Sequence, residues 1–300
     1  MYFCDMKIAL YIAFQNKSSI DCSKEIIDLV SDNNQLVVDS KLKDKIDKNK
    51  SSNLIFFDSN ESIDPDIDFV LAVGGDGTIL RSITYVKDSD IPILGVNTGR
   101  LGFLTSVQKE SIGDAILNIK NNKFSIINRT VLKVNLSSSN NTFSDYPFAL
   151  NEVTIQRKDT TSLLNISCKI NNKHLTNYWS DGLIISTPTG STGYSLSNGG
   201  SIVSPESNVT LLNPIAPHNI NMRSLVIPDD SNIKIDIEGD NEINLSVDSR
   251  IYSISSSNQI EILKANFTIK TIKFDDDNFY KRLREKLFWG QDMRNKNINN

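Results

Sequence analysis

Little in this 300-residue chain could build a disulfide framework or a soft-metal site. It has three cysteines, Cys4, Cys22 and Cys168, scattered and without a C-x-x-C pair. An odd, scattered set gives no disulfide scaffold, and a reducing compartment is the simpler expectation. The two histidines, His174 and His218, exclude H-E-x-x-H and a histidine-rich cage. Any metal partner is then expected to be an oxygen-liganded ion such as Mg²⁺. No apolar run approaches the ~20 residues that cross a bilayer. The first ten residues carry one basic residue, Lys7, and no signal-peptide layout. The chain is therefore expected in the cytoplasm, with no membrane partner. Clustered basic charge is also lacking: 32 Lys and Arg face 36 Asp and Glu, a net charge of −4. That argues against a nucleic-acid footprint. The chain has no Gly-Lys pair, which excludes a P-loop. A dinucleotide fingerprint fails because Gly75-Asp-Gly77-Thr-Ile-Leu80 ends in Leu.

What is present suffices for a sizeable core. Hydrophobic residues make up 39% of the chain and charged residues 23%, close to the globular average. The length allows two domains or one large one. Lys7–Ala13 reads as a buried strand beginning near Met6, with residues 1–5 a short extension. Ser23–Ser31 has helical spacing at Ile26, Ile27 and Val30, with Ser23 as the expected cap. Short strands are expected at 34–38 and 53–57. Residues 39–52 read as solvated, Lys-rich surface. Asp68–Val73 is a continuous apolar run ending in glycines, as a central parallel strand requires. A helical pattern at Thr78–Val86 and a strand at 92–96 follow. Helix and strand alternate to about residue 120, which predicts an α/β layer with a parallel sheet. From Phe124 to about Ile272 the pattern changes to short alternating segments, such as 132–136, 164–170, 233–237 and 243–247, which read as antiparallel β structure. Residues 137–144 read as a Ser/Asn-rich hairpin tip. At the tail, Phe279–Trp289 reads as an amphipathic helix. Phe279, Leu283, Leu287 and Phe288 share one side, and Lys281, Arg282, Arg284 and Lys286 surround them. The expected organisation is an α/β domain over 1–125, to which 273–300 return with the C-terminal helix docking on it, and a β-rich domain over 126–272.

Four segments carry chemistry. Gly74-Gly75-Asp76-Gly77-Thr78 follows the central strand and precedes a helix. Ligands of open α/β sheets bind beyond the carboxyl ends of strands. Glycines let a phosphate approach the backbone, and N–H groups at a helix start favour anions. A carboxylate there makes sense if it takes a proton from a hydroxyl nucleophile or helps hold a metal; otherwise the segment is a tight turn with a solvated Asp76. The second segment, Asn97-Thr-Gly99-Arg-Leu-Gly102-Phe103-Leu104, is compatible with a ligand loop or with ordinary packing of Phe103 and Leu104. The third, Asn151-Glu152, sits at a strand start. The pair can donate to and accept from vicinal ribose hydroxyls, or it can simply face water. In the fourth, residues 180–200, an apolar strand runs into a loop dense in Gly, Ser and Thr. That suits a ligand lying against the backbone, although Ser191 and Thr192 could instead cap a helix.

Together the matches GGDGT at 74–78, NTGRLGFL at 97–104, NEV at 151–153 and SDGLIISTPTGSTGYSLSNGG at 180–200 closely resemble the NAD kinase family, and VDSR at 247–250 is a weaker match. GGDG alone also occurs in lipid kinases and phosphofructokinases; with the NE pair and the long loop it is specific. The resemblance implies transfer of the γ-phosphoryl of ATP, with Mg²⁺, to the 2′-hydroxyl of the adenosine ribose of NAD. It implies that Asp76 accepts the hydroxyl proton beside Gly74, Gly75 and Gly77, and that Arg81 reaches a phosphate. Asn151 and Glu152 would hold the ribose, and Asp181 would contact NAD. Thr189, Thr192, Gly193, Tyr194, Ser195, Leu196 and Ser197 would line the adenosine pocket, joined by Ala216 and Arg250. It also implies a homo-oligomer, a dimer or tetramer. The alternatives are a GGDG-type lipid kinase and a non-catalytic dinucleotide sensor. The chain departs from the family pattern at Gly193, where Ala is commoner, at Ser201 and Ser224, where Pro is frequent, and at Trp179, where some relatives place Arg. The change at Gly193 is expected to be harmless.

Overall fold

The computed structural model describes residues 6–30, 34–47, 54–99, 102–138, 143, 146–158, 163–238, 242–275 and 278–290. The chain divides into two compact units. One comprises Met1–Tyr85, Ile91–Ile127 and Thr271–Asn300, the other Val86–Asp90 and Asn128–Lys270. The expected extension over residues 1–5, and Cys4 with it, lies outside the described residues.

The first unit is built on β1 (Lys7–Ile12), β2 (Gln35–Asp39), β3 (Ile55–Phe57), β4 (Phe69–Gly74), β5 (Ile93–Asn97) and the short β6 (Val107–Gln108). All pair in parallel, in the order β3-β2-β1-β4-β5, with β6 beside β5. β4 is fully buried, which is why its sequence is an unbroken apolar run. Three helices of this unit follow strands: α1 (Lys17–Val30), α2 (Asp76–Val86) and α3 (Ile112–Lys120). Cys22, Ile26, Ile27 and Val30 of α1 and Ile112, Ala115, Ile116 and Ile119 of α3 join Ile8, Leu10, Leu71 and Leu94 in one core.

Two local expectations are corrected here. Ser23 is not a cap: α1 starts at Lys17, and Asn16 Oδ1 accepts the N–H of Ser19 at 2.9 Å. Ser23 lies mid-helix, buried, and its hydroxyl donates back to the Ser19 carbonyl at 2.7 Å. Polar residues on the first turns hid the true start. Nor are residues 39–52 uniformly solvated surface. A 3-10 turn at Ser40–Lys45 buries Leu42, and Asp39 is fully buried as its cap, accepting the N–H of Lys41 at 3.0 Å.

The second unit contains two antiparallel sheets. Its strands are β7 (Ser125–Leu136), β8 (Phe148–Ala149), β9 (Glu152–Arg157), β10 (Leu164–Ile170), β11 (Lys173–Ser180), β12 (Gly182–Ser186), β13 (Val209–Ile215), β14 (Leu225–Pro228), β15 (Ile233–Glu238), β16 (Glu242–Val247), β17 (Arg250–Ser255) and β18 (Ile260–Lys273). One sheet has the order β14-β13-β12-β9-β16-β17; the other carries β11-β10-β15-β18 with β7 and β8, and the end of β18 also pairs in parallel with β5 through Thr271 and Ile93, both residues of the first unit. Alternate side chains, such as Val153 and Ile155, Leu164 and Ile166, Ile233 and Ile235, Ile243 and Leu245, form one shared core. That period of two is what a strand buried on one face imposes. A four-residue helix, α4 (Tyr194–Ser197), follows a 3-10 turn at Thr189–Thr192. Most of the expected hairpin tip at 137–144 lies outside the described residues.

The tail forms α5 (Phe279–Leu287) in the first unit, capped by Asn278, whose Oδ1 accepts the N–H of Tyr280 at 2.8 Å. Its sides differ from the amphipathic reading. Arg282 points inward and is only 7% exposed, whereas Phe288 ends the helix in a left-handed conformation and is 68% exposed.

Candidate active site

The turn from β4 into α2 follows from its glycines. Gly74 has φ +154°, and a methyl group there would overlap the Thr78 hydroxyl, so only glycine fits. No atom lies within 4 Å of where a side chain on Gly75 would start, and on Gly77 it would meet only the Phe14 ring at 3.9 Å. The backbone of both thus presents an open face. Asp76 is the first residue of α2, where negative charge suits the helix dipole. It is not a solvated turn residue. Its Oδ2 accepts the N–H of Phe103 at 2.7 Å, and its Oδ1 accepts those of Leu104 and Thr105 at 3.0 and 3.1 Å. A carboxylate has about four acceptor positions, so one on Oδ2 is left for a further partner. The second glycine segment is therefore a cradle for this carboxylate. A side chain on Gly102 would collide with it. Asn97 closes the turn before it, donating to the Gly99 carbonyl at 2.8 Å and accepting the Gly99 N–H at 3.1 Å. Arg100 and Leu101 lie outside the described residues. Arg81 is exposed and stacks over the Phe14 ring, 4.7 Å from its centroid.

In the second unit Asn151 and Glu152 stand at the start of β9. Asn151 Oδ1 and Glu152 Oε2 are buried without a hydrogen-bond partner, which a native structure rarely leaves unexplained. Each oxygen is left to take a partner from outside the chain. Burial pushes the Glu152 carboxyl up to about 8; the neighbouring Asp248 charge adds to this and the Tyr194 backbone N–H opposes it. Asp248 in turn accepts the N–H groups of Leu150, Asn151 and Glu152 at 3.0, 2.8 and 3.3 Å. Burial raises its own proton affinity against those bonds and the Arg250 charge. The Ser/Thr loop closes around the pair. Thr187 Oγ1 donates to the Leu150 carbonyl at 2.6 Å, and a methyl group on Gly193 would stand 2.8 Å from Glu152 Oε2 and 3.2 Å from Asn151 Nδ2. The glycine at 193 is thus room for the Glu152 carboxyl, and an alanine there would shift it.

The remaining expected residues of this unit fall into two groups. Thr189 is buried and accepts from Arg129 at 3.2 Å. Thr192 donates to the Thr189 carbonyl at 3.3 Å and caps nothing. Tyr194 is 40% exposed, its hydroxyl accepting from Gln156 at 2.9 Å, and Ser195 is buried with an unpartnered hydroxyl. Leu196 is half-buried and Ser197 exposed. These follow one another along the loop that meets the NE pair at Gly190 and Gly193. The others are held elsewhere. Asp181 pairs with Arg157 at 3.1 Å. Ala216 directly follows β13 with φ +43°, a backbone conformation rare for alanine. Arg250 donates to the carbonyls of Tyr146 at 2.9 Å, Phe148 at 2.5 Å and Val247 at 3.2 Å, so its guanidinium braces backbone. Sequence reasoning missed Asp248, Arg129, Gln156 and Arg282. Only Asp248 carried a signal, its place in the VDSR match. Among the described residues no three His, Cys, Asp or Glu side chains converge on a metal-sized site.

Comparison with known proteins shows the family of the chain. Residues 10–124 match the family model of the ATP-NAD kinase N-terminal domain, and 150–274 that of the ATP-NAD kinase C-terminal domain. The chain is 44% identical over 294 residues to the NAD kinase of Flavobacterium psychrophilum, with 97% of this chain and all of that protein covered. It is 42% identical over 300 residues to the NAD kinase of Christiangramia forsetii, at the same coverage. Its fold is similar to the crystal structure of yeast NADH kinase complexed with NADH, with a TM-score of 0.85, 24% identity and coverage of 97% of this chain and 89% of that one. It is also similar to an NAD kinase from Archaeoglobus fulgidus in complex with ATP, with a TM-score of 0.70 and 24% identity over 94% of this chain and 99% of that one. Matched by both domain models and by relatives along nearly its whole length, the chain belongs to the NAD kinase family.

Proposed function

We propose that the chain phosphorylates NAD, converting ATP and NAD to ADP and NADP, and that it does so in the cytoplasm as a homo-oligomer. Phosphoryl transfer asks mainly for positioning and charge neutralisation. The open backbone at Gly75 and Gly77 and the start of α2 receive the ATP phosphates, with Gly74 shaping the turn and Arg81, one turn into the helix, adding positive charge. ATP is taken as its Mg²⁺ complex, the cation arriving as part of the substrate. Asn151 and Glu152 engage the ribose hydroxyls with their unpartnered oxygens. Thr189, Thr192, Gly193, Tyr194, Ser195, Leu196 and Ser197 flank them as the adenosine-binding loop, and Asp181, Ala216 and Arg250 support its edges. Asp76 accepts the 2′-hydroxyl proton on its remaining Oδ2 position. As that O–H bond breaks, the hydroxyl oxygen bonds to the γ-phosphorus, and the bond to the bridging oxygen breaks, releasing ADP with the electron pair.

The observation that carries the reading is the Asp76 carboxylate, fixed by three backbone donors beside bare glycine backbone with one acceptor position left over. General-base help contributes ~10²–10⁴-fold. Asp76→Asn keeps an oxygen for Leu104 and Thr105 but cannot take the proton. The folded variant should lose at least ~100-fold in kcat. Near-normal turnover in a folded variant would remove Asp76 from this role.

A further inference from the structure

The cradle around Asp76 is itself gripped from behind. Arg282, on α5, is 7% exposed and donates from Nη1 to the Phe103 carbonyl and from Nη2 to Ser106 Oγ at 3.5 Å. That carbonyl belongs to the peptide group whose N–H, that of Leu104, donates to Asp76 Oδ1 at 3.0 Å. One peptide group therefore lies between a guanidinium and a carboxylate, its oxygen on the cation and its N–H on the anion. Such a chain polarises itself: a cation on the carbonyl makes the N–H a stronger donor, and both bonds are charge-assisted. It also fixes the plane of the peptide, and with it the direction in which Asp76 faces.

The rest of the cradle is tied to the same point. Ser106 N–H donates to the Gly95 carbonyl at 3.0 Å and its hydroxyl to the Ile272 carbonyl at 3.1 Å; the Gly102 N–H donates to Thr105 Oγ1 at 2.8 Å. Burying an arginine costs solvation, and a helix that only had to dock could use an apolar residue here. We propose that Arg282 is a positioning residue for phosphoryl transfer: it orients the 103–104 peptide group and through it the Asp76 carboxylate. The proposal rests on Asp76 being the proton acceptor.

A cavity of about 710 Å³ borders Arg282, lined also by Ser106, Asp114, Asn118, Lys281 and Glu285. It offers a route for a small cation to the place of a missing guanidinium. Arg282→Ala should fold and lose kcat by about 10- to 100-fold, the range expected for one charge-assisted hydrogen bond, with KM for ATP and NAD little changed. Guanidinium at non-denaturing concentration should restore part of the lost kcat. Arg282→Lys, which keeps the charge and loses the fork, should fall between, and it carries the test if the alanine variant does not fold. The decisive arm is the double variant Asp76→Asn/Arg282→Ala, compared with each single variant. If Arg282 acts through Asp76, its removal should cost almost nothing further in the Asn background. A full, additive loss in that background overturns the proposal, as does near-normal kcat in a folded Arg282→Ala enzyme. If Asp76→Asn alone turns over normally, the failure belongs to the proton-acceptor reading instead.

Discussion

Asp76 and Asp248 use one device at two places. Each gathers the N–H groups of three consecutive residues, 103–105 and 150–152. In the second case the residues so gathered include the Asn151-Glu152 pair. The Asp248 charge also helps hold a proton on Glu152. This has a measurable consequence for stability. The Glu152 carboxyl holds its proton to about 8 in the folded chain, well above its unfolded value. Between those values the folded state binds more protons than the unfolded one, so stability is full at low pH and falls as pH rises toward about 8. In Glu152→Gln this loss should vanish. Melting the ligand-free proteins from pH 5 to 8.5 checks it: wild type should lose Tm with rising pH relative to the variant, and parallel curves would contradict the buried-acid picture. At this scale Asp76, Asn151 and Glu152 stand out in the sequence because their motifs are specific. Asp248 and Arg282 do not, since a carboxylate that meets N–H groups about 97 residues away, or an arginine that reaches back 179, leaves no local pattern.

Among elements, the β4–α2 turn and the 97–104 segment separate glycines whose missing side chain the fold requires from one, Gly75, whose missing side chain it does not. Gly74 and Gly102 are demanded by the chain itself, because a side chain would collide with Thr78 or Asp76. Gly75 has open space around it. Gly75→Ala should therefore change stability by no more than about 0.5 kcal/mol. It should also raise KM for ATP by about 10-fold, the cost of ~1.4 kcal/mol of lost contact. Thermal melting and steady-state kinetics check both halves, and an unchanged KM would take the phosphates away from this backbone. Element types were legible where one period dominated, as in the apolar β4 or the alternating β16. The start of α1 was not, because Lys17–Asp21 offers no apolar stripe until the sheet is present to define one. The inward face of α5 was misjudged for a similar reason: Arg282 buries its charge only because a carbonyl awaits it.

On the scale of the whole molecule, the change from helical to two-residue periodicity near Phe124 announced an α/β sheet of parallel strands and a second set of antiparallel sheets, and both are present. Among the described residues no helix is long and apolar enough to cross a membrane. Position in the sequence could not reveal that two distant segments, 74–78 and 102–105, share one carboxylate. The central claim, that the chain places a phosphoryl group on the 2′-hydroxyl of NAD, is tested most directly by identifying the product. The protein should be incubated with NAD and Mg²⁺-ATP labelled at the γ-phosphate, and the product offered to an NADP-specific dehydrogenase. The account predicts label in a dinucleotide that this dehydrogenase reduces, in equal amount to the ADP formed. NAD bound without labelled product, or label transferred to a lipid hydroxyl and not to NAD, would contradict it.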